Sequence, residues 1–403
     1  MFTLCASPSL DDEDVERLRD LLRDVKLVDV NHTDLSGRSP LMLLCQCNHS
    51  ESFNRCFEIL FGSENYINAA IKNGEGVNAL HLLCLCNSAN VSVDVVQQLI
   101  SHGIDVNEEE VAGNNALHCL CANKSDTQKF VSVARHLISC GINVQAQTLK
   151  GDTALTLLFQ YSNKEYVLEM AHLLALEHNV DVNHQNANGE NAFHLLCQTS
   201  TDIGQFIASA RLLIERGIEV SSTTGKGDSG LTLLCRFFRG ENLAQAVHFL
   251  VIENKMNVNH TNVKGENALH CLCANSSEIT RDFADVARLL MDHGVDVSTK
   301  AGNGTDNALH YICRLKHSSS LDLFRLLIDC GIDIGARDCQ GDSALHQLCR
   351  YSQSEHLFDL IRLLVEAKVG VKAETPTGST AVNLLWERNV ELFSEILQFL
   401  IKF

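Results

Sequence analysis

The feature that most constrains this chain is a repeat. The nine residues "NALHCLCAN" occur at 115–123 and again, unchanged, at 267–275. The copies lie 152 residues apart, four steps of 38. With His118 as anchor, the equivalent positions are Met42, His81, His118, Thr156, His194, Thr232, His270, His310, His346 and Asn383, at steps of 36 to 40 residues. A chain written this way builds no single central core. Each of its ten units must bury its apolar face against its neighbours.

The unit reads as turn, helix, loop, helix and extended segment. Five residues before the anchor stands glycine in nine units, with Thr305 there in the eighth and Gly304 one place earlier. Glycine in such a place marks a turn that needs positive φ or a close backbone approach. Three residues before the anchor is always Ser, Thr or Asn, the residues that cap helix N-termini. Pro40 follows the first cap, where a helix tolerates it. Apolar residues then fall at helical spacing, with Leu or Ile two after the anchor in every unit. After a polar loop a second, amphipathic helix is predicted, as in "FVSVARHLISCG" and "FADVARLLMDHG", followed by "IDVN"-like extended residues.

This unit resembles the ankyrin repeat: "G-x-[NST]-A-L-H-x-L-C" is similar to the family's "G-x-T-P-L-H-x-A-A", and "LLIDCGIDI" to its "LL-x-x-G-A-D-V". The resemblance covers residues 11–403 and implies an all-α ankyrin-repeat solenoid with short β-hairpin-like connections. Residues 1–10 are expected as a tail, 11–30 as the second helix of a partial starting unit, and the rest as one continuous solenoid of about ten units. The chain departs from the family in three ways. Ala usually replaces Pro, Leu-Cys replaces Ala-Ala, and each unit exceeds the usual ~33 residues by about five, the excess lying between the two helices.

Bulk composition narrows the setting. A hydrophobic content of 45% suits a globular chain. No apolar run reaches the ~18 residues that span a bilayer, so membrane insertion is not expected. The acidic start "MFTLCASPSLDDED" lacks the marks of a signal peptide. Seventeen cysteines, an odd number, without an export signal point to free thiols in a reducing, cytoplasmic setting. The net charge of −18 and pI near 5.4 disfavour nucleic acid.

The recurring His-Cys-x-Cys invites a metal reading. On a helix Cys119 and Cys121 point nearly opposite ways, so they cannot close on one ion. His118 and Cys121 share a face, but two ligands are too few for a structural zinc. Three after the anchor, eight of ten units have Cys: Cys45, Cys84, Cys121, Cys197, Cys235, Cys273, Cys313 and Cys349. Free Cys packs as a small hydrophobe; the rival account is a redox- or zinc-responsive thiol stack. The resemblance implies that the anchor histidine bonds to the cap residue and adjoining backbone.

No P-loop, GxSxG, kinase set or HExxH occurs. The expectation is therefore a non-enzymatic, cofactor-free adaptor or scaffold, monomeric, that binds a protein on its concave face. The alternative is a regulatory or substrate-recognition module of a larger signalling or ubiquitin-ligase assembly. Positions one, four and five after the anchor are expected to be exposed. They carry Tyr311 at +1, Arg236, Arg314 and Arg350 at +4, and Phe237 and Tyr351 at +5, the residue types that binding hot spots favour. The rest of the +1 row is apolar, which implies either cover by the long loops or an apolar groove. Lys150, Lys226 and Lys264 stand one residue before the hairpin glycine, next to Leu149 and Val263. Tip lysines with groove arginines would suit an acidic or phosphorylated segment. The closing "ELFSEILQFLIKF" reads as a capping helix with exposed apolar residues or as a chain cut from a longer protein.

Overall fold

The computed structural model describes residues 1–23, 29–47, 52–62, 66–86, 91–123, 128–161, 166–275, 282–314, 321–352, 356–387 and 394–402. The chain divides into two compact units, one of residues 1–187 with 211–218, the other of 188–210 with 219–403. Among the described residues the regular structure is helical, and β pairing is confined to isolated bridges such as Thr223 with Ser229 and Arg337 with Ser343.

Each repeat contributes an inner and an outer helix. The inner helices are short: Pro40–Cys47, Ala79–Cys86, Ala116–Ala122 and Ala154–Tyr161 in the first unit. In the second they are Ala192–Thr199, Gly230–Phe237, Ala268–Cys273, Ala308–Cys313, Ala344–Tyr351 and Ala381–Glu387. Segments of this length are marginal alone. They are held by caps and by burial on nearly all sides. Asn115 is extended (φ −91°, ψ 178°) and its side chain accepts from the N–H groups of Leu117 and His118 at 3.1 Å. From Ala116 to Cys121 every residue is buried, because consecutive inner helices pack on one another along each unit. The outer helices are amphipathic: Lys129–Ser139 buries Phe130, Val133, Ala134 and Leu137 and exposes its other face.

The recurring glycine has the conformation its position predicts. Gly113 sits at φ 82°, and a Cβ there would lie 3.0 Å from the backbone nitrogen of Leu149 in the next hairpin. Both the dihedral and the close approach therefore exclude a side chain.

The structure adds a longer period. The outer helices Val167–His172 and Leu243–His248 each run on into a π turn, Leu173–Glu177 and Phe249–Glu253. Each turn absorbs an extra residue and leads to a non-glycine residue at positive φ, Asn179 (52°) and Lys255 (54°). Gly141 and Gly294 close the corresponding helices elsewhere. The two π turns lie 76 residues apart, two repeats. His184 and His260, of the "VNH" triplets, share that spacing, and each ring Nε2 bonds the hairpin carbonyl of the preceding repeat, Gly151 or Gly227, at 2.7 Å. The triplet histidines thus tie hairpin to hairpin within each unit.

Residues 1–10 are packed. Phe2–Cys5 forms a short helix against Pro40–Cys47, and Cys5 and Leu10 are buried. Asp12–Arg23 packs on Phe53–Leu60, in the place an outer helix takes. The inter-helix excess of most repeats, residues 48–51, 87–90, 124–127, 162–165, 276–281, 315–320 and 353–355, lies outside the described residues, as does the idea that it covers the +1 row there.

Candidate interaction surface

The His-Cys signature resolves into structure. His118 accepts from the Asn115 N–H at its Nδ1 (3.2 Å), and its Nε2 bonds the Ala146 carbonyl of the next repeat (3.1 Å). The same arrangement joins His81 to Glu108, His194 to Ser222, His310 to Ala336 and His346 to Ala373. Thr156 replaces the ring with a hydroxyl that accepts from the Thr153 N–H and donates to its carbonyl. Burial pushes His118 and His270 down to about 4, so both are neutral spacers near pH 7. The +3 cysteines are all buried. Burial pushes the thiols of Cys45, Cys84, Cys121, Cys197, Cys235, Cys273 and Cys313 far up, which suits packing atoms rather than reactive thiolates. Among the described residues no group of three or more His, Cys, Asp or Glu is placed to hold a metal ion. None of the described helices is long and apolar enough to cross a membrane.

The +1 row is a correction. Leu43, Leu82, Leu157, Leu195, Leu233 and Leu384 are buried rather than exposed. Arg236, at +4, has its Nη2 3.0 Å from the Sγ of Cys271, the +1 residue of the next repeat. The inner helices pack closely enough that +1 belongs to the seam between repeats.

In the second unit the +4 arginines are committed to buried carboxylates. Arg236 pairs with Glu266 (2.5 Å), which also accepts from Asn262 (2.7 Å) and from the Tyr311 hydroxyl (2.8 Å). Arg314 bridges Asp306 (2.6 Å) and Asp338 (2.9 Å), and Arg350 pairs with Asp342 (3.1 Å). Gln347, at +1, donates to Asp338. Burial alone would raise the Glu266 carboxyl. Its bonds from Asn262 and Tyr311 and the Arg236 guanidinium outweigh burial and hold it below the usual glutamate value. Asp338 is held down in the same way by the Asp342 N–H and Arg314, against burial. Asp228 joins the network by accepting from Asn262 at 2.8 Å. Four carboxylates thus face three guanidiniums, with a fifth, Asp228, joined through Asn262. The sequence held the signal for this pairing: Glu190, Asp228, Glu266, Asp306 and Asp342 recur four residues before the anchor, alongside the +4 row.

Phe237 and Tyr351 are exposed at the +5 position, whereas Tyr311 is half-buried against Glu266. Lys226 and Lys264 are exposed at hairpin tips of the second unit, and Lys150 at a tip of the first. The arginines, Tyr311 and two of the three lysines therefore share one unit, while Lys150 does not.

In the first unit the +4 row is neutral, with Gln46, Leu85, Ala122 and Gln160. Here a cleft of about 800 Å³ opens between hairpin tips and inner helices. Leu157 forms part of its floor, and Leu85, Val111, Leu149 and Tyr161 stand 45, 66, 79 and 42% exposed around it.

The sequence profile of the ankyrin repeats matches in three copies, over residues 5–109 and 231–338, slightly more than half of the chain. No curated protein is significantly similar in sequence. The hairpin turns, capped inner helices and paired outer helices of both units agree with that match, and the chain belongs to the ankyrin-repeat family.

Proposed function

We propose that the protein is a cytoplasmic, non-enzymatic adaptor that recognises another protein through its hairpin tips and the adjoining face of the inner helices. Ankyrin repeats are in general protein–protein interaction modules. The observation that carries the reading is the exposure of large apolar side chains at two successive tips, Val111 and Leu149. Such residues stabilise nothing in the repeat itself, and grouped apolar exposure marks interaction surface.

A second reading, an acidic or phosphorylated segment held in the second unit, draws on the exposed tip lysines Lys226 and Lys264. Arg236, Arg314 and Arg350 enter it as charges already balanced by a surplus of carboxylates, so the lysines would carry the attraction.

Quantitative pull-down from cell lysate separates the two. Wild type is compared with Leu149→Asp and with Lys226→Glu/Lys264→Glu, after circular dichroism shows each folded. Loss of captured proteins with Leu149→Asp supports apolar recognition, and loss with the lysine pair supports the acidic segment. Capture of no protein above a bare-resin control would overturn the adaptor reading.

A further inference from the structure

The first-unit cleft has the chemistry of a particular kind of ligand. Its apolar residues come from two different parts of the repeat: Val111 and Leu149 from tips, Leu85 and Tyr161 from inner helices. Their exposure leaves the cleft shallow, whereas a small-molecule pocket buries ~70–90% of its ligand. A shallow apolar trough is better suited to side chains projecting from a macromolecular partner.

Two further observations define that partner. The backbone at these tips is already spent: the Val111 N–H donates to Glu75 (2.8 Å), the Leu149 N–H to Ala112 (2.8 Å) and the Ala187 N–H to Lys150 (2.8 Å). With these groups satisfied from tip to tip, strand addition has no open edge here, and recognition falls to side chains, as when an amphipathic helix lies in a groove. The polar lining is unbalanced: Glu75, Glu110 and Asp152 against Lys150 alone. Burial would raise the Glu110 carboxyl, but the Ala112 N–H and the Asn114 side chain outweigh it and keep it ionised. The rim is therefore net negative in a chain of charge −18, which opposes acidic ligands and a second copy of this chain and attracts cations.

We propose that this cleft binds an amphipathic helical segment of a partner protein, with apolar anchors at helical spacing on one face and lysine or arginine beside them. This rests on the adaptor reading and specifies its ligand. Leu149 and Val111 grip the anchors, Tyr161 and Leu85 line the inner wall, and the Glu75 and Glu110 carboxylates meet the basic flanks.

The test uses the full chain and a random 16-residue peptide display library. Enriched sequences are synthesised with a fluorophore, and their affinity is measured against wild type, Leu149→Asp, Leu85→Arg and, as a control distant in sequence, Val263→Asp. All three substituted positions are exposed, and circular dichroism checks the folds. The expected result is enrichment of peptides pairing Leu, Ile, Phe or Trp at i and i+4 with Lys or Arg. Their binding should weaken at least tenfold with Leu149→Asp and Leu85→Arg, stay within twofold with Val263→Asp, and fall with added salt. Peptides that bind all three variants like wild type, or that are acidic, would overturn the cleft assignment while leaving the adaptor reading standing. Failure of any peptide to enrich would count against both.

Discussion

The two units carry the same repeat and use its +4 position in opposite ways. In the first, Leu85 and Ala122 line an open apolar cleft. In the second, Arg236, Arg314 and Arg350 cross to carboxylates buried in their own or the next repeat. The backbone of the repeat is set by the hairpin glycine, the cap and the buried face of the inner helix, and the +4 side chain is outside that face. The same position can thus serve as a binding wall in one unit and as an ionic tie in the other. A row of arginines is therefore no sign of an anion site until its counter-charges are located.

The largest expected effect is acidification, and it should separate the units. The second has four anchor histidines, His194, His270, His310 and His346, and the first has two, His81 and His118. Burial lowers all six. An unfolded histidine takes up a proton below ~6.5, whereas folded His118 and His270 resist to about 4. Their contribution is complete above pH 6.5 and is lost as pH falls from 6.5 toward 4, at about 1.4 kcal/mol per histidine per pH unit. Hydrogen exchange between pH 7 and 5 should show the second unit losing more protection than the first. His194→Thr/His310→Thr, copying the working Thr156, should reduce that loss. Equal loss in the two units, or no gain from threonine, would show that the anchors do not set the acid response.

Next in size is Arg314→Met. It leaves Asp306 and Asp338 buried without their cation. Breaking a fully buried pair costs roughly 3–5 kcal/mol; the guanidinium here is about a third exposed, so about 2–3 kcal/mol is expected from urea unfolding. Arg314→Met/Asp338→Asn should recover part of it, since the amide still accepts the hairpin N–H groups. A cost below about 0.5 kcal/mol would mark the network as surface cover.

Much of this was legible in the sequence, for a physical reason. Glycine at positive φ and the Asn or Ser cap are set by the backbone of one repeat, and the buried Cys recurs because every repeat stacks on its neighbours alike, so the register of ten copies exposes all three. What the periodicity missed lies between repeats. The +1 positions were expected at the surface, their leucines covered by the long loops or lining a groove; the leucines are buried, in inner helices that pack on one another. The Arg236–Glu266 pair spans 30 residues, and only the two parallel rows of opposite charge hinted at it. The π turns had a fainter mark, Asn179 and Lys255 standing where Gly141 and Gly294 end other outer helices, a mark that Lys368 shares after a helix without a π turn.

The smallest expected stability effects come from exchanging the two uses of +4. Arg236→Leu installs the first unit's residue in the second and leaves Glu266 with only Asn262 and Tyr311, at an expected cost of about 1.5–2 kcal/mol in urea unfolding. Leu85→Arg makes the reverse exchange at an exposed position, where Val77 and Asn114 stand in place of the carboxylates four before the anchor of its own and the next repeat, and should change stability by no more than about 0.5 kcal/mol. If the comparison holds, the stability-neutral change is the one that removes peptide binding, and the costly one leaves that binding intact. Should Leu85→Arg prove as costly as Arg236→Leu, the cleft wall would be part of the packing between repeats, and the open face of the first unit would be structural like the arginine face of the second.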